Sequence, residues 1–97
     1  MIEIKRIQQR PDLAQAIYAV MTDVYPVSPW NLEQIQADLS QGQTWYALAF
    51  DGVEVIGFLA VQENFFEAEV LQIAVKKAYQ GQGIASDLFA TLPTDKE

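Results

Sequence analysis

The residues Gln80-Gly81-Gln82-Gly83-Ile84-Ala85, with Ser86 behind them, stand where an apolar run ending at Val75 gives way to an amphipathic stretch reaching Leu92. Small side chains at Gly81, Gly83 and Ala85 let a ligand approach the main chain closely. The first turn of a helix also leaves backbone N–H groups with no intrahelical acceptor. Those donors, together with the positive end of the helix dipole, suit a diphosphate. The segment therefore reads as a phosphate cradle. A weaker pattern, G-x-G-x-x-S, overlies the same residues, but the dinucleotide fingerprint follows its strand directly. Here five residues separate Val75 from Gly81, which argues against nucleotide binding. The plainer alternative is an ordinary helix start.

The acid–base chemistry open to the chain is narrow. It contains no Cys and no His, which removes thiolate nucleophiles, most zinc sites and the commonest general base. No metal site is expected, and proton transfer falls to Glu, Asp, Tyr, Lys or water. Glu69 is the candidate base. If its strand is regular, Glu67, Glu69, Leu71, Ile73 and Val75 share one face, and a carboxylate with apolar neighbours can be tuned toward such work. The competing reading is a solvated glutamate near a strand start.

The elements that must position these groups can be read from periodicity. Ile2 and Ile4 alternate with polar residues, which predicts a strand ending near Arg6 or Ile7. From Pro11, the residues Leu13, Ala16, Ile17, Val20, Met21 and Val24 recur at helical spacing. Tyr25 to Trp30 carries two prolines and is a connection. Leu32, Ile35 and Leu39 then mark a second helix closing near Gly42. Thr44 to Phe50 and Val53 to Val61 flank Asp51-Gly52, a hairpin signal that pairs them antiparallel. A third long strand runs from about Glu67 to Val75. The last helix carries Ile84, Leu88, Phe89 and Leu92 and is stopped by Pro93. The order is β-α-α-β-β-β-α, an α/β (α+β) chain with no repeat, linker or domain boundary.

The pattern Q-x-x-G-x-A behind a buried strand, filled here by Gln80, Gly83 and Ala85, resembles the acetyl-coenzyme A signature of the GNAT N-acetyltransferases. The order of elements is similar to theirs too, which implies a mixed, mostly antiparallel sheet flanked by helices. Within the family the chain looks closest to the branch that acetylates the N-terminal amine of a ribosomal protein. Ser28-Pro29-Trp30, Ile73-Ala74-Val75 and Tyr79-Gln80-x-Gln82-Gly83 carry that likeness. The resemblance implies that main-chain groups of Ile73, Ala74 and Val75 bind the pantetheine arm, with an N–H near Ile73 polarising the acetyl carbonyl. It places the diphosphate on Gln80 to Ser86. The strand from Glu69 to Val75 also resembles that of the histone-acetylating branch, where a glutamate deprotonates the amine through water. Pro29 and Trp30 lie where the family forms its acceptor loop, and Phe65 at a hairpin facing the same cleft; these are the substrate-binding candidates. The other aromatics read as core and rim, and Tyr18, Glu33, Asp38 and Asp87 as solvated helix faces.

The reaction implied is direct attack of an amine on the thioester carbonyl of acetyl-CoA, with no protein nucleophile. The acceptor favoured is a protein or peptide α-amine, with a small-molecule amine as an alternative. Other readings are a coenzyme A-binding or regulatory module without turnover, and an inert structural fragment. Family members continue with another strand, helix and hairpin, so residues 1–97 are expected to be the N-terminal two-thirds of one domain in truncated form. The family's base and acid in the ribosomal-protein branch lie in that continuation. Its absence would expose one edge of the third long strand, which predicts a homodimer or another cover there. The net charge of −7 argues against nucleic acid and favours cationic partners. No apolar run reaches the roughly 18 to 20 residues of a membrane span and no signal peptide is evident, so a cytoplasmic protein is expected.

Overall fold

The computed structural model describes residues 2–41, 44–63 and 67–92. Strand β1 (Ile2–Ile7) is followed by a short 3₁₀ turn (Pro11–Leu13) and helix α1 (Ala14–Val24). Helix α2 (Leu32–Gln41), strands β2 (Thr44–Asp51), β3 (Glu54–Glu63) and β4 (Ala68–Val75), a 3₁₀ turn (Lys77–Tyr79) and helix α3 (Ile84–Phe89) complete the chain. The strands form one sheet in the order β1-β2-β3-β4. Each of its three pairings is antiparallel. No parallel pairing occurs among the described residues. The expected closing of α2 at Gly42 and of α3 at Pro93 falls outside the described residues.

Two apolar clusters sandwich the sheet. Ala14, Ile17, Val20 and Met21 of α1 with Ile35 and Leu39 of α2 pack on Tyr46, Leu48, Phe58, Ala60 and Ala74. Their spacing of three and four residues is what puts them on one side of each helix. On the other face Ile84 and Leu88 of α3 meet Trp45, Ala47, Ala49, Ile56, Leu59, Val61 and Val75. Burying both faces explains why β2 and β3 are nearly continuous apolar runs rather than alternating ones. Helix α3 is shorter than the sequence periodicity predicts: Leu92 still packs against the second cluster, but from a turn beyond the helix.

Connections follow from local chemistry. Between β2 and β3 only Gly52 of the two linking residues has positive φ, +64°, the backbone that a two-residue hairpin with glycine first requires. Helix α2 opens on a reciprocal cap in which Gln34 N–H donates to Asn31 Oδ1 and Asn31 N–H donates to Gln34 Oε1, both at 2.8 Å.

The β3–β4 ladder contains the irregularity that matters for function. Ala60 faces Gln72, but the next residue, Val61, faces Val70, so Leu71 is an extra residue in β4. Such a bulge reverses the alternation of side chains beyond it. Ile73 and Val75 belong to the α3 face and Ala74 to the α1–α2 face. Glu69, opposite Gln62, falls on the α1–α2 face. The expectation that Glu69, Ile73 and Val75 share one face is thus corrected.

Candidate active site

Strand β4 is the edge of the described sheet. The Lys76 N–H donates to the Ile56 carbonyl at 2.8 Å, which makes that position a hydrogen-bonded pair of the β3–β4 ladder. Alternation along an antiparallel ladder then turns the N–H and C=O of Val75 and Ile73 away from β3. One of these outward groups is occupied from within: Gln80 Nε2 donates to the Val75 carbonyl at 2.9 Å. By the same alternation the Ile73 N–H and C=O and the Val75 N–H face the open side of β4.

Beyond β4 the chain is anchored before it turns. Asp23 Oδ2, at the end of α1, accepts the Lys77 N–H at 2.8 Å. Tyr79 donates its hydroxyl to Asp51 Oδ2 at 2.6 Å, and Lys76 Nζ lies 2.9 Å from Glu54 Oε2. The hydrogen bond to Asp51 is the main reason that the Tyr79 hydroxyl is pushed up to about 12, since the bond is lost on ionisation. These ties fix the segment leading into the turn to the β2–β3 hairpin and to α1.

The turn itself is built on two left-handed residues, Gly81 at φ +83° and Gly83 at φ +82°. Gly83 precedes the first residue of α3 and its carbonyl accepts the Asp87 N–H at 3.1 Å. A Cβ at either glycine would meet nothing within 4 Å. Their conformation, not a protein neighbour, is what demands glycine. Among the described residues, the N–H groups from Gly81 to Ser86 reach no protein acceptor.

All of this faces one open cleft of about 380 Å³. Ile73, Ala74, Val75, Gln80, Gly81, Gly83, Ile84, Ala85 and Ser86 line it, so nine of the ten sequence-predicted cofactor residues come together. Gln82 is exposed and does not line it. Val24, Tyr79 and Phe89 join the wall. Helical spacing assigns Val24 and Phe89 to the core, and nothing in the sequence distinguishes them as cleft residues. The cleft combines a free strand edge with a ring of amide donors. It suits an extended amide-bearing arm that ends in a diphosphate.

The acceptor candidates are not brought into that cleft. Trp30 lines a second hollow of about 200 Å³ with Gln34, Asp38 and Leu71. Pro29 is exposed and lines neither. Phe65 lies outside the described residues. Glu69 is exposed near the start of β4. The loop holding Trp30 is pinned by Ser28 Oγ, which donates to the Trp30 carbonyl at 2.5 Å. Tyr25, just past α1, is tied to β4 through Gln72 Nε2 at 2.7 Å. Asp38 is half-buried rather than a solvated helix residue, and accepts the Tyr46 hydroxyl at 2.8 Å. Burial first, then that hydrogen bond, raises the Tyr46 pKa strongly, so Tyr46 remains a donor.

No helix among the described residues is long and apolar enough to cross a membrane. Among those residues no group of three or more acidic side chains is placed to hold a metal ion.

Comparison with solved structures shows the fold widely shared. The ribosomal-protein-S18-alanine N-acetyltransferase of Escherichia coli superposes with a TM-score of 0.80 at 20% identity, over 93% of this chain and 56% of that one. An acetyltransferase of the GNAT family from Streptococcus pneumoniae gives 0.73 at 29% identity, over 93% and 64%. The PaiA N-acetyltransferase of Thermoplasma acidophilum, solved in complex with coenzyme A, gives 0.72 at 17% identity, over 93% and 68%. The chain therefore spans 56% of the length of the Escherichia coli enzyme. A comparison with curated proteins found no match. The model of the acetyltransferase (GNAT) family matches residues 10–92, most of the chain and both walls of the cleft. This chain belongs to the GNAT acetyltransferase family.

Proposed function

We propose that this chain is the cofactor-binding part of an N-acetyltransferase that moves the acetyl group of acetyl-CoA onto an amine. The observation that carries the reading is the continuity of the outward backbone groups of Ile73 and Val75 on β4 with the amides of Gly81 and Gly83–Ser86, all on one cleft. The pantetheine arm of the coenzyme has amide groups that pair with a strand edge as an added strand would. Its diphosphate takes several N–H donors at a loop leading into a helix. In this reading the residues fit acetyl-CoA, which supplies the activated acetyl thioester when bound.

The protein's own contribution is positioning. Pairing along Ile73–Val75 sets the thioester in register with the strand, and the outward Ile73 N–H is the donor for the charge that develops on the acetyl oxygen. A preorganised donor of that kind is worth about 3 kcal/mol of barrier in other acyl transfers. Glu69 is the proposed base acting through water, from the α1–α2 side of the sheet; that side is where the acceptor is proposed to enter. A protein or peptide α-amine is the proposed acceptor, in keeping with the net charge of −7. One structural relative acetylates a ribosomal-protein alanine and another is an aminoglycoside acetyltransferase, so small-molecule amines belong in the same assay. The cytoplasm is the proposed compartment. The free edge of β4 is also where a second copy would pair, and sedimentation at micromolar concentration measures that.

Isothermal titration with acetyl-CoA, followed by thiol release in the presence of peptide and small-molecule amines, tests the reading. Saturable binding is expected. Absence of binding contradicts the assignment, and binding without thiol release from any amine reduces it to a coenzyme A-binding module. For Glu69→Gln, the expected result is loss of the acidic limb of the pH–rate profile; an unchanged profile removes Glu69 from the chemistry.

A further inference from the structure

The second hollow has a chemistry that the coenzyme cleft does not use. Gln34 and Asp38 stand four residues apart on α2 and so lie on one side of it; Trp30, in the loop just before that helix, and Leu71, the extra residue of the β4 bulge, line the hollow with them. Asp38 Oδ2 is occupied by the Tyr46 hydroxyl. Its Oδ1 has no partner, and no Lys or Arg pairs with Asp38, among the described residues. Gln34 Oε1 is taken by the Asn31 N–H, which leaves the Gln34 Nε2 hydrogens to donate elsewhere. The hollow of about 200 Å³ is thus lined by an aromatic side chain, the carboxylate of half-buried Asp38 and one amide donor.

We propose that this hollow binds a cationic side chain, an ammonium or guanidinium, next to the reacting amine of the acceptor. A carboxylate held through one oxygen by a tyrosine hydroxyl is fixed in place with its other oxygen able to accept, and charge-assisted hydrogen bonds are the strong ones. An indole face adds attraction for a cation. The Gln34 amide completes the site by donating to a carbonyl of the same ligand. Leu71 lies two residues from Ile73, about 7 Å along a strand, so a basic residue adjacent to the reacting amine reaches the hollow. The bulge makes this possible, because it brings Leu71 onto the α1–α2 face within two residues of the outward Ile73 N–H. As a cation site the hollow stands on its own geometry; as an acceptor subsite it rests on the acetyl-transfer reading.

The test is an NMR titration of the 97-residue chain, following the Gln34 side-chain amide and the Leu71 methyl groups. The probes are Nα-acetyl-lysine amide and Nα-acetyl-arginine amide, with Nα-acetyl-norleucine amide as the isostere lacking the charge. Saturable shifts with either cationic probe and none with norleucine are expected. Asp38→Asn, which still accepts from Tyr46, weakens that binding at least about tenfold. Trp30→Leu, which leaves Asp38 intact, weakens it severalfold. Equal shifts from the norleucine amide, no shifts from any probe, or undiminished affinity in folded Asp38→Asn overturns the proposal. Coenzyme A is titrated into a parallel sample, read at the Gly81–Ser86 amides. Coenzyme A binding without cation binding overturns only this inference, and cation binding without coenzyme A binding overturns the assignment to an acceptor.

Discussion

Gln80 Nε2 donates to the Val75 carbonyl at 2.9 Å, so the residue that opens the glycine turn also holds the end of the strand that the turn leaves. The bond uses one outward carbonyl of the β4 edge and keeps the turn folded back on it. Gln80→Ala removes a hydrogen bond of modest net worth, about 1 kcal/mol. The expected outcome is a small loss of stability in urea unfolding, with faster amide exchange confined to residues 77–86. Exchange unchanged in that segment contradicts this role for Gln80.

Gly83 sits at φ +82° with open space where a Cβ would point. Gly83→Val therefore introduces backbone strain of about 1–2 kcal/mol without a protein clash, and sets a branched side chain among the amide donors. Calorimetry is expected to show a lower Tm and loss of coenzyme A binding by more than about tenfold. Full affinity in a folded Gly83→Val protein contradicts the cradle.

Gly57 is constrained for the opposite reason. A Cβ there would lie 3.2 Å from the Ala74 carbonyl oxygen, 3.3 Å from Val75 Cγ2 and 3.6 Å from the Ala49 Cβ. The nearest atom is backbone of the very segment that lines the cleft, and it yields only if β4 moves. Gly57→Ala is expected to cost about 1–3 kcal/mol as overpacking and to weaken coenzyme A binding from the far side of the strand. Neutral stability in urea unfolding contradicts the close approach of β3 and β4.

The elements and the glycine turn were legible because their causes are local. Ile17, Val20 and Met21 announce a helix by spacing, Asp51-Gly52 announces a hairpin, and Gly81 and Gly83 announce a turn with positive φ. What escaped depends on pairing between distant residues. The bulge at Leu71 exists only in the register of β4 against β3, and it reverses the side on which Glu69 falls. Asp38 looks like a surface residue until Tyr46 of β2 comes beside it. The demand for glycine at 57 comes from Ala74, and the partner of Tyr79 is 28 residues away.

The Tyr79–Asp51 bond gives a dependence on alkaline pH. The hydroxyl is raised from 10.0 to about 12 in the folded chain. A group whose folded pKa is raised contributes its stability in full below the unfolded value, and that stability is lost as pH rises through the folded one. Stability from this bond is thus constant up to about pH 10 and falls between about 10 and 12. Tyr79→Phe is expected to be less stable at neutral pH and to show less of that alkaline decline. An equal decline in wild type and variant between those values contradicts the assignment.

The central claim is that the main chain from Ile73 to Ser86 receives the coenzyme. Amide-resolved NMR during titration with coenzyme A tests it most directly. The account predicts saturable shifts at Ile73, Val75 and Gly81–Ser86, with the amides of β1 and the β2–β3 hairpin turn unmoved. Saturable binding whose shifts fall elsewhere, or no shifts at these amides at saturating coenzyme A, contradicts it.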